Sequence, residues 1–487
     1  MNNKTKENKS KSQEITMIII VLLLNLFTIF VSKMNDLDEL WIYSFSKNMA
    51  QSLLPYRDFN MITTPLLPFI ISLIFKLLGA KLIIQRLASF VLYNFTLLIA
   101  YKIVKNSASK KIGMLFIISL MNVYLPYIHI DYNFLLLLIL LIMLYIEIKT
   151  CKETLLYNNT KIDIIIGVLA GLIILTKQTI GIIALIAVSL YKVIEVKSIN
   201  NFKKFVIQLG IRFVSGLVTV FPFIAYLFLT NTANDFYDQC ILGIRTFNNS
   251  FNSLFWFLGL VTYLIIIIVS IVNKIKKEQI NEQKSYIYLV YSIISFFICI
   301  PIADRVHIIL ALTIPAIAIF NLIFSNKKVN NVNEKNINIC IVLMTIILLL
   351  SLVSNCIYTI YTSTLEKRDN QYKYMFVDNE VKECTAKVDQ FILEKKANGI
   401  DVYIIDATSA QFNIPLNIYR KYYDLLLVGN IGLSGEKSII EDLNNKDNVI
   451  YLINKNPTSV QNIESIIEYV KTNFNKVGEI ECFEVYQ

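Results

Sequence analysis

Apolar runs of the length that marks a membrane span, about 17–25 residues, recur along most of this chain and narrow what it can fold into. They lie near 15–32, 84–104, 112–127, 132–149, 163–176, 179–194, 206–229, 254–272, 286–302, 308–324 and 337–358. The composition agrees. Of 487 residues, 55% are hydrophobic and 17% charged, with a mean hydropathy of +0.56, whereas soluble domains average about 25% charged. The chain is therefore predicted to be a polytopic α-helical membrane protein.

The first run, ITMIIIVLLLNLFTIFV (15–31), follows four lysines, and a signal peptide is the competing reading. It lacks a small-x-small cleavage site and exceeds the usual apolar region of about 7–15 residues. It reads as an uncleaved first span with a cytoplasmic N-terminus. A further stretch, PLLPFIISLIFKLLG (65–79), is ambiguous because it is short and holds two prolines and Lys76. Lysines decide its placement. If 65–79 lies along the outer interface, six lysine-rich segments fall inside: the N-terminus, 105–111, 149–161, 192–204, 273–284 and 325–335. If it crosses, every later loop inverts. The positive-inside rule favours the first arrangement, which gives about eleven spans, an inside N-terminus and an outside C-terminus.

That assignment gathers DLDE (36–39), PYRDF (55–59), HIDYN (129–133), TKQT (176–179) and ADRVH (303–307) on the outer face. Polar clusters on both faces would suggest a transport path; clusters on one face suggest a site at one membrane surface. The net charge of +10 follows from the lysine loops and calls for no nucleic acid. Seven scattered cysteines without a C-x-x-C provide neither a zinc site nor a disulfide framework; whether Cys384 and Cys482 pair stays open.

The tail, from about 360, changes character. DVYIIDA (401–407), YDLLLVG (423–429) and NVIYLIN (448–454) read as short buried strands between helical patterns. That alternation predicts a small α/β domain with a largely parallel sheet. It contains no G-x-G-x-x-G, Walker A or nucleophile elbow, so it reads as an accessory or acceptor-binding domain.

Each polar motif has a plain structural reading beside a chemical one. Trp41, Phe45, Met49 and Leu53, spaced by four, form one apolar stripe of a helix expected to lie on the interface. Asp36 would cap that helix and Glu39 complete a capping box, but Asp38 is then an extra carboxylate at the bilayer. Asp131 precedes an apolar span as an N-cap would. Lys177 fits a snorkelling lysine between spans. Arg212, inside a span, reads as structural or ion-pairing. Asp304, Arg305 and His307 share a short outer turn, and His129 and His307 are the only histidines. Taken together, two carboxylate sites with Arg57, Lys177, Arg305 and His307 on one face suit one chemistry. Moving a sugar from a lipid phosphate to a hydroxyl needs a base for the acceptor and cations for the departing phosphate.

The order of these features resembles the GT-C membrane glycosyltransferases of the protein O-mannosyltransferase and aminoarabinose-transferase type, the family-39-like branch with its bacterial relatives. The resemblance runs over roughly 15–320: a first span into LDELW, then LPYRDF…TTPLLPFIISLIFKLLG, a span carrying QRLASF, an outer Asp before a span, and LTKQTIGI. It implies that Asp38 is the catalytic base, that Glu39 supports it and that Asp131 is the second acidic site. It also implies that Lys177 lies near the lipid phosphate, with a polyprenyl or dolichyl phosphate carrier as sugar donor. Thr64 before Pro65, and Trp41, depart from the pattern at positions where relatives carry basic residues; no metal site or cofactor is carried over. The resulting expectation is an inverting glycosyltransferase of the bacterial plasma membrane. It comprises a cytoplasmic segment 1–14, a catalytic membrane domain 15–358 with an external loop 33–83, and an extracytoplasmic domain 359–487. Its partners would be a polyprenyl-phosphate sugar, an extracytoplasmic acceptor and membrane lipids. Arg57, Lys177, Arg305 and His307 would hold the donor phosphate. The rival readings are a lipid or polysaccharide exporter without covalent chemistry and a non-catalytic anchor for the tail.

Overall fold

The computed structural model describes residues 2–487 apart from 36, 128, 130, 152–154, 157–158, 247–256, 258, 266, 269–281, 325–333, 425, 428–429 and 456–462. The chain forms two compact units: Met1–Ser32, Leu87–Val220 and Phe251–Tyr358 make the first, and Lys33–Arg86, Phe221–Ser250 and Thr359–Gln487 the second.

Long helices dominate. They are α1 (Asn2–Val31), α2 (Asp38–Ala50), α3 (Leu66–Leu78), α4 (Leu82–Ser107), α5 (Lys110–Tyr124), α6 (Tyr132–Thr150), α7 (Thr160–Ile174), α8 (Gln178–Leu190), α9 (Ile199–Leu229), α10 (Glu282–Phe296), α11 (Arg305–Phe324) and α12 (Glu334–Thr362). Among the described residues, six helices are long and apolar enough to cross a membrane, within Glu14–Val31, Leu82–Ser107, Tyr132–Thr150, Gln178–Glu195, Ile199–Leu229 and Lys335–Thr362. The expected span at 254–272 lies largely outside the described residues.

The first unit packs around α6. Leu136, Leu137, Leu140, Leu141 and Leu144 are fully buried on it, while α12 turns Leu343, Leu350, Val353 and Ile357 outward, as a lipid-facing helix does. Small residues bring α7 against its neighbours: Gly167 has no room for a Cβ beside the Arg212 backbone, nor Gly181 beside Ile174. Arg212 is fully buried and ion-paired, as expected. Its Nη1 lies 2.7 Å from Glu147 Oε1 and its Nε 2.7 Å from Asp163 Oδ1, with Lys192 Nζ 3.6 Å from the same Asp163 oxygen. Two cations face two carboxylates, so the cluster is neutral. Charges buried this way are tolerated only when paired, and Arg212 offers no support for a transport path.

In the second unit α2 is not a helix with one wet face. Residues from Glu39 to Asn48 are all buried, which corrects the expectation that one apolar stripe alone of this helix is covered. Its polar side is covered by the tail: Ser44 donates to Asp424 Oδ2 at 2.6 Å, and Lys47 donates to the Ile414 carbonyl and to Asn417 Oδ1 at 3.1 and 2.8 Å. The short helix α3 packs Leu67, Ile71 and Phe75 inward and leaves Phe69, Leu73, Leu77 and Leu78 exposed. Its 13 residues rise about 20 Å, well short of the roughly 30 Å hydrocarbon core. That length suits the interfacial placement expected of 65–79.

The tail holds a small antiparallel pair, β1 (Ser363–Leu365) with β2 (Phe376–Asp378), and a four-stranded sheet. Its strands β3 (Asp401–Ile405), β4 (Val449–Asn454), β5 (Lys476–Ile480) and β6 (Phe483–Tyr486) run in the order β3-β4-β6-β5. Alternation sorts its two faces. Val402, Ile404, Ile450 and Leu452 pack under α13 (Asn379–Ala397), whereas Tyr403, Ile405, Tyr451 and Ile453 pack with α14 (Gly435–Asn444) and α15 (Glu464–Asn473). The α/β class expected for the tail is present, but the sheet is mixed. Only β3 and β4 are parallel, and β6 runs antiparallel to both of its neighbours. The described part of 423–429 is not a strand; the remaining two strands, the interior β6 and the edge β5, come from 476–486, whose charged and glycine-containing sequence hides a strand signal.

Candidate functional site

The opening carboxylates sit at the start of α2. Asp36 lies outside the described residues, and Asn35 performs the capping expected of it: its Oδ1 accepts from the N–H groups of Leu37 at 3.0 Å and Glu39 at 3.4 Å. Glu39 returns the interaction, accepting from the Asn35 N–H at 3.1 Å; this reciprocal pair spans four residues and replaces the expected capping box, since the residue before α2 is Leu37, which gives no side-chain cap. The Glu39 carboxylate is buried and gripped by Arg86, with Nε 2.5 Å from Oε1 and Nη2 2.9 Å from Oε2. Arg86 Nη2 also donates to the Lys33 carbonyl, and Gln85 Nε2 to the Glu39 carbonyl. Glu39 is thereby a fixed anchor rather than a free base. Asp38, one residue before it at the first position of α2, is exposed.

Deeper along α2, a second polar group joins helix to tail. Asp424 accepts from Ser44 and, at 3.2 Å, from Asn413 Nδ2. Burial raises the Asp424 carboxyl and pushes the Lys47 ammonium down to about 8, against the pull of their opposite charges. The loop that follows α2 carries Arg57, which is exposed and bound by its neighbour Asp58 at 2.7 and 3.1 Å. Asp58 also accepts from the Leu54 N–H at 2.7 Å. The Arg57 charge is thus largely spent within its own turn.

The first unit joins two of the expected residues, Asp131 and Lys177, through Asn133. Asp131 is the N-cap of α6: Oδ1 accepts from the Asn133 N–H at 3.2 Å and Oδ2 from Asn133 Nδ2 at 2.8 Å. Asn133 passes the contact on, its Oδ1 accepting from Lys177 Nζ at 3.3 Å. Lys177 also donates to the Ile298 carbonyl at 3.0 Å and lies 5.4 Å from the Tyr132 ring centre. It is buried at the N-cap of α8, where the helix start already favours an anion. Snorkelling is therefore the wrong description, because the ammonium points into protein. Among the described residues, two of its three N–H donors are engaged. At the start of α11, Asp304 Oδ1 holds the His307 ring Nδ1 at 2.7 Å and its N–H at 2.9 Å, and Arg305 is exposed.

Two residues important to this geometry escaped the sequence reading. Arg86 stood in plain view, a charge inside the expected span 84–104, and an ionisable residue so placed is a signal in its own right. Asn133 had no such mark, since only the fold sets it between Asp131 and Lys177. Among the described residues, no group of three or more His, Cys, Asp or Glu side chains is arranged to hold a metal ion.

Comparison with known proteins shows which fold carries these polar helix ends. Residues 63–226 match the family model of dolichyl-phosphate-mannose-protein mannosyltransferase. ArnT from Cupriavidus metallidurans in the apo state superposes with a TM-score of 0.64 over 98% of both chains at 11% identity. The same protein bound to undecaprenyl phosphate gives 0.60 over 97% of both at 13% identity. The archaeal oligosaccharyltransferase AglB from Archaeoglobus fulgidus, with an inhibitory peptide and a dolichol-phosphate, gives 0.51 at 9% identity over 91% of this chain and 70% of its own. No curated protein matches the chain at a significant level. The chain thus shares the fold of the GT-C glycosyltransferase ArnT and carries a mannosyltransferase-like segment at 63–226, in line with the resemblance.

Proposed function

We propose that the chain transfers a sugar, with inversion, from a polyprenyl phosphate to a hydroxyl outside the cytoplasm. The acceptor oxygen displaces lipid phosphate from the anomeric carbon; its proton passes to Asp38, and the lipid phosphate leaves as an anion without needing an acid. The observation that carries this reading is the start of α2. Arg86 fixes Glu39 there and the helix start is capped from Asn35, while Asp38 remains exposed. A positioned base of this kind contributes about 10²–10⁴ in rate. Lys177 is the proposed partner of the donor phosphate, because a buried cation at a helix N-terminus suits an anion; Arg305 and His307 are secondary. Arg57, neutralised by Asp58, ranks last. Asp131 acts through Asn133 to orient Lys177.

Under this proposal the N-terminus is cytoplasmic, the protein lies in a bacterial plasma membrane, and the tail from 359 onward lies outside and orients the acceptor. ArnT in complex with undecaprenyl phosphate and AglB with a dolichol-phosphate support the choice of donor class. The test is reconstitution in liposomes with hexosyl- and pentosyl-phosphoryl polyprenols. Release of polyprenyl phosphate, with the opposite anomeric configuration in the product, is expected. Movement of intact lipid-linked sugar across the vesicle, with no lipid phosphate released, would instead establish an exporter.

A further inference from the structure

The tail contains a polar cavity of about 180 Å³ that none of the roles above uses. The end of α13 supplies Lys396, the start of β3 supplies Asp401, and the segment after the helical turn Ala410–Asn413 supplies Asn417, Tyr419 and Arg420. Arg420 is held by Tyr403 and Asp401. Its guanidinium lies 3.7 Å from the Tyr403 ring centre, Nη1 donates to the Tyr403 hydroxyl at 2.6 Å, and Nη2 reaches Asp401 Oδ1 at 3.3 Å. Its Nε is buried and has no hydrogen-bond partner among the described residues. Asn417 is already committed, its Oδ1 accepting from Lys47 and Gln371, so that wall of the cavity is tied to α2.

Two cations, Lys396 and Arg420, thus face one carboxylate, and that carboxylate is more than half exposed. A stacked guanidinium with a donor to spare is shaped for an oxyanion, and arginine prefers phosphate and carboxylate. Nη1 and Nη2 each carry a second N–H beyond the bonds to Tyr403 and Asp401, and an oxyanion from outside would meet those rather than the buried Nε. Phosphate fits better than carboxylate, because its additional oxygens and charge can engage the exposed Lys396 as well as the guanidinium. The volume exceeds that of the ion alone, since about 10–15 Å³ of such space already holds one water, and it leaves room for further heavy atoms. Asp401 and the aromatic wall of Tyr419 suit hydroxyl-bearing carbon. We propose that this cavity binds a phosphate-bearing polyol. In the reading of the tail as acceptor-orienting, on which this assignment rests for its biological meaning, that group belongs to the acceptor.

Binding can be measured without any transfer. Full-length protein in a zwitterionic detergent is titrated with glycerol 3-phosphate, with glycerol as the uncharged control, by calorimetry. Saturable binding of glycerol 3-phosphate and none of glycerol is expected. Arg420→Gln should weaken it at least tenfold and Lys396→Gln severalfold, while Lys437→Gln, at an exposed lysine elsewhere in the tail, should leave it unchanged. Lys396 is itself exposed, so its variant tests the site even if Arg420→Gln fails to fold. Nanodiscs with and without phosphatidylglycerol separate the sources: binding seen only with that lipid, and lost in the same variants, makes the phosphate a headgroup. No binding in either format, or binding within twofold of wild type in both variants, overturns the proposal. Phosphate binding without sugar transfer would sink the proposed activity and leave the cavity's role standing; the reverse result would do the opposite.

Discussion

Arg86 holds both carboxylate oxygens of Glu39, Nε at 2.5 Å and Nη2 at 2.9 Å, with both side chains buried. A bidentate pair of this kind is strong because neither charge has water to fall back on. Removing one partner leaves the other buried and uncompensated, at a cost of about 3–5 kcal/mol. Arg86→Met should therefore lower the unfolding temperature sharply, and adding Glu39→Leu should restore much of it. Thermal unfolding in detergent decides the matter, and an Arg86→Met protein as stable as wild type would show that the pair does not secure α2.

Asp38→Asn isolates the base. Asparagine serves at a helix start about as well as aspartate, so expression and stability should stay near normal. Turnover should fall by about 10²–10⁴, equivalent to roughly 3–5 kcal/mol of barrier. Asp36→Asn is the matched control and should leave turnover within a few-fold. Full activity of Asp38→Asn at normal protein levels would reduce the carboxylate to a helix-start residue.

Lys177→Met tests the donor end. It keeps the aliphatic stem while removing the charge that Asn133 and the Ile298 carbonyl orient. Polyprenyl phosphate should be held at least about tenfold more weakly, the loss expected of one charge-assisted hydrogen bond worth roughly 1.5–3 kcal/mol. Asn133→Ala should give a smaller loss in the same assay. Native mass spectrometry of the lipid complex reads both, and unchanged retention in Lys177→Met would remove the lysine from the phosphate site.

A pH dependence follows from Asp389 on α13. Burial raises its carboxyl from 3.8 to about 7, partly opposed by the Arg368 charge, and its Oδ1 has no hydrogen-bond partner among the described residues. A carboxylate raised in the folded state destabilises wherever it must be ionised. The cost is fully present above about 7 and is relieved as pH falls toward 3.8. Asp389→Asn should therefore raise the melting temperature by about several degrees near pH 8 and make no difference near pH 4. Equal melting temperatures of variant and wild type at both pH values would contradict the assignment.

Topology is checked by cysteines at Ser107 and Ser434, with native thiols controlled. In intact cells, a membrane-impermeant maleimide should label position 434, which is exposed, and not position 107. Labelling at 107 would mean that α3 crosses the membrane and that the polar clusters divide between two faces.

Local chemistry made much of this protein legible. Apolar runs need only length and composition to declare a helix in lipid, and α4, α6 and α9 lie where those runs predicted. Asp131 before an apolar run was readable as an N-cap, because capping depends on neighbours two or three residues away. Tertiary structure decided what depends on distant partners. The stripe at Trp41 and Phe45 could not reveal that Ser44 and Lys47, beside it on α2, would be covered by Asp424 and Asn417. That contact joins residues about 370 positions apart, and no periodicity records it. In the same way β6 enters the sheet antiparallel between β4 and β5, a pairing set by the packing of its neighbours rather than by its own residues. Glu39 and Asp38 are adjacent acids in the sequence; only the fold, by placing Arg86 beside one of them, separates an anchor from a candidate base.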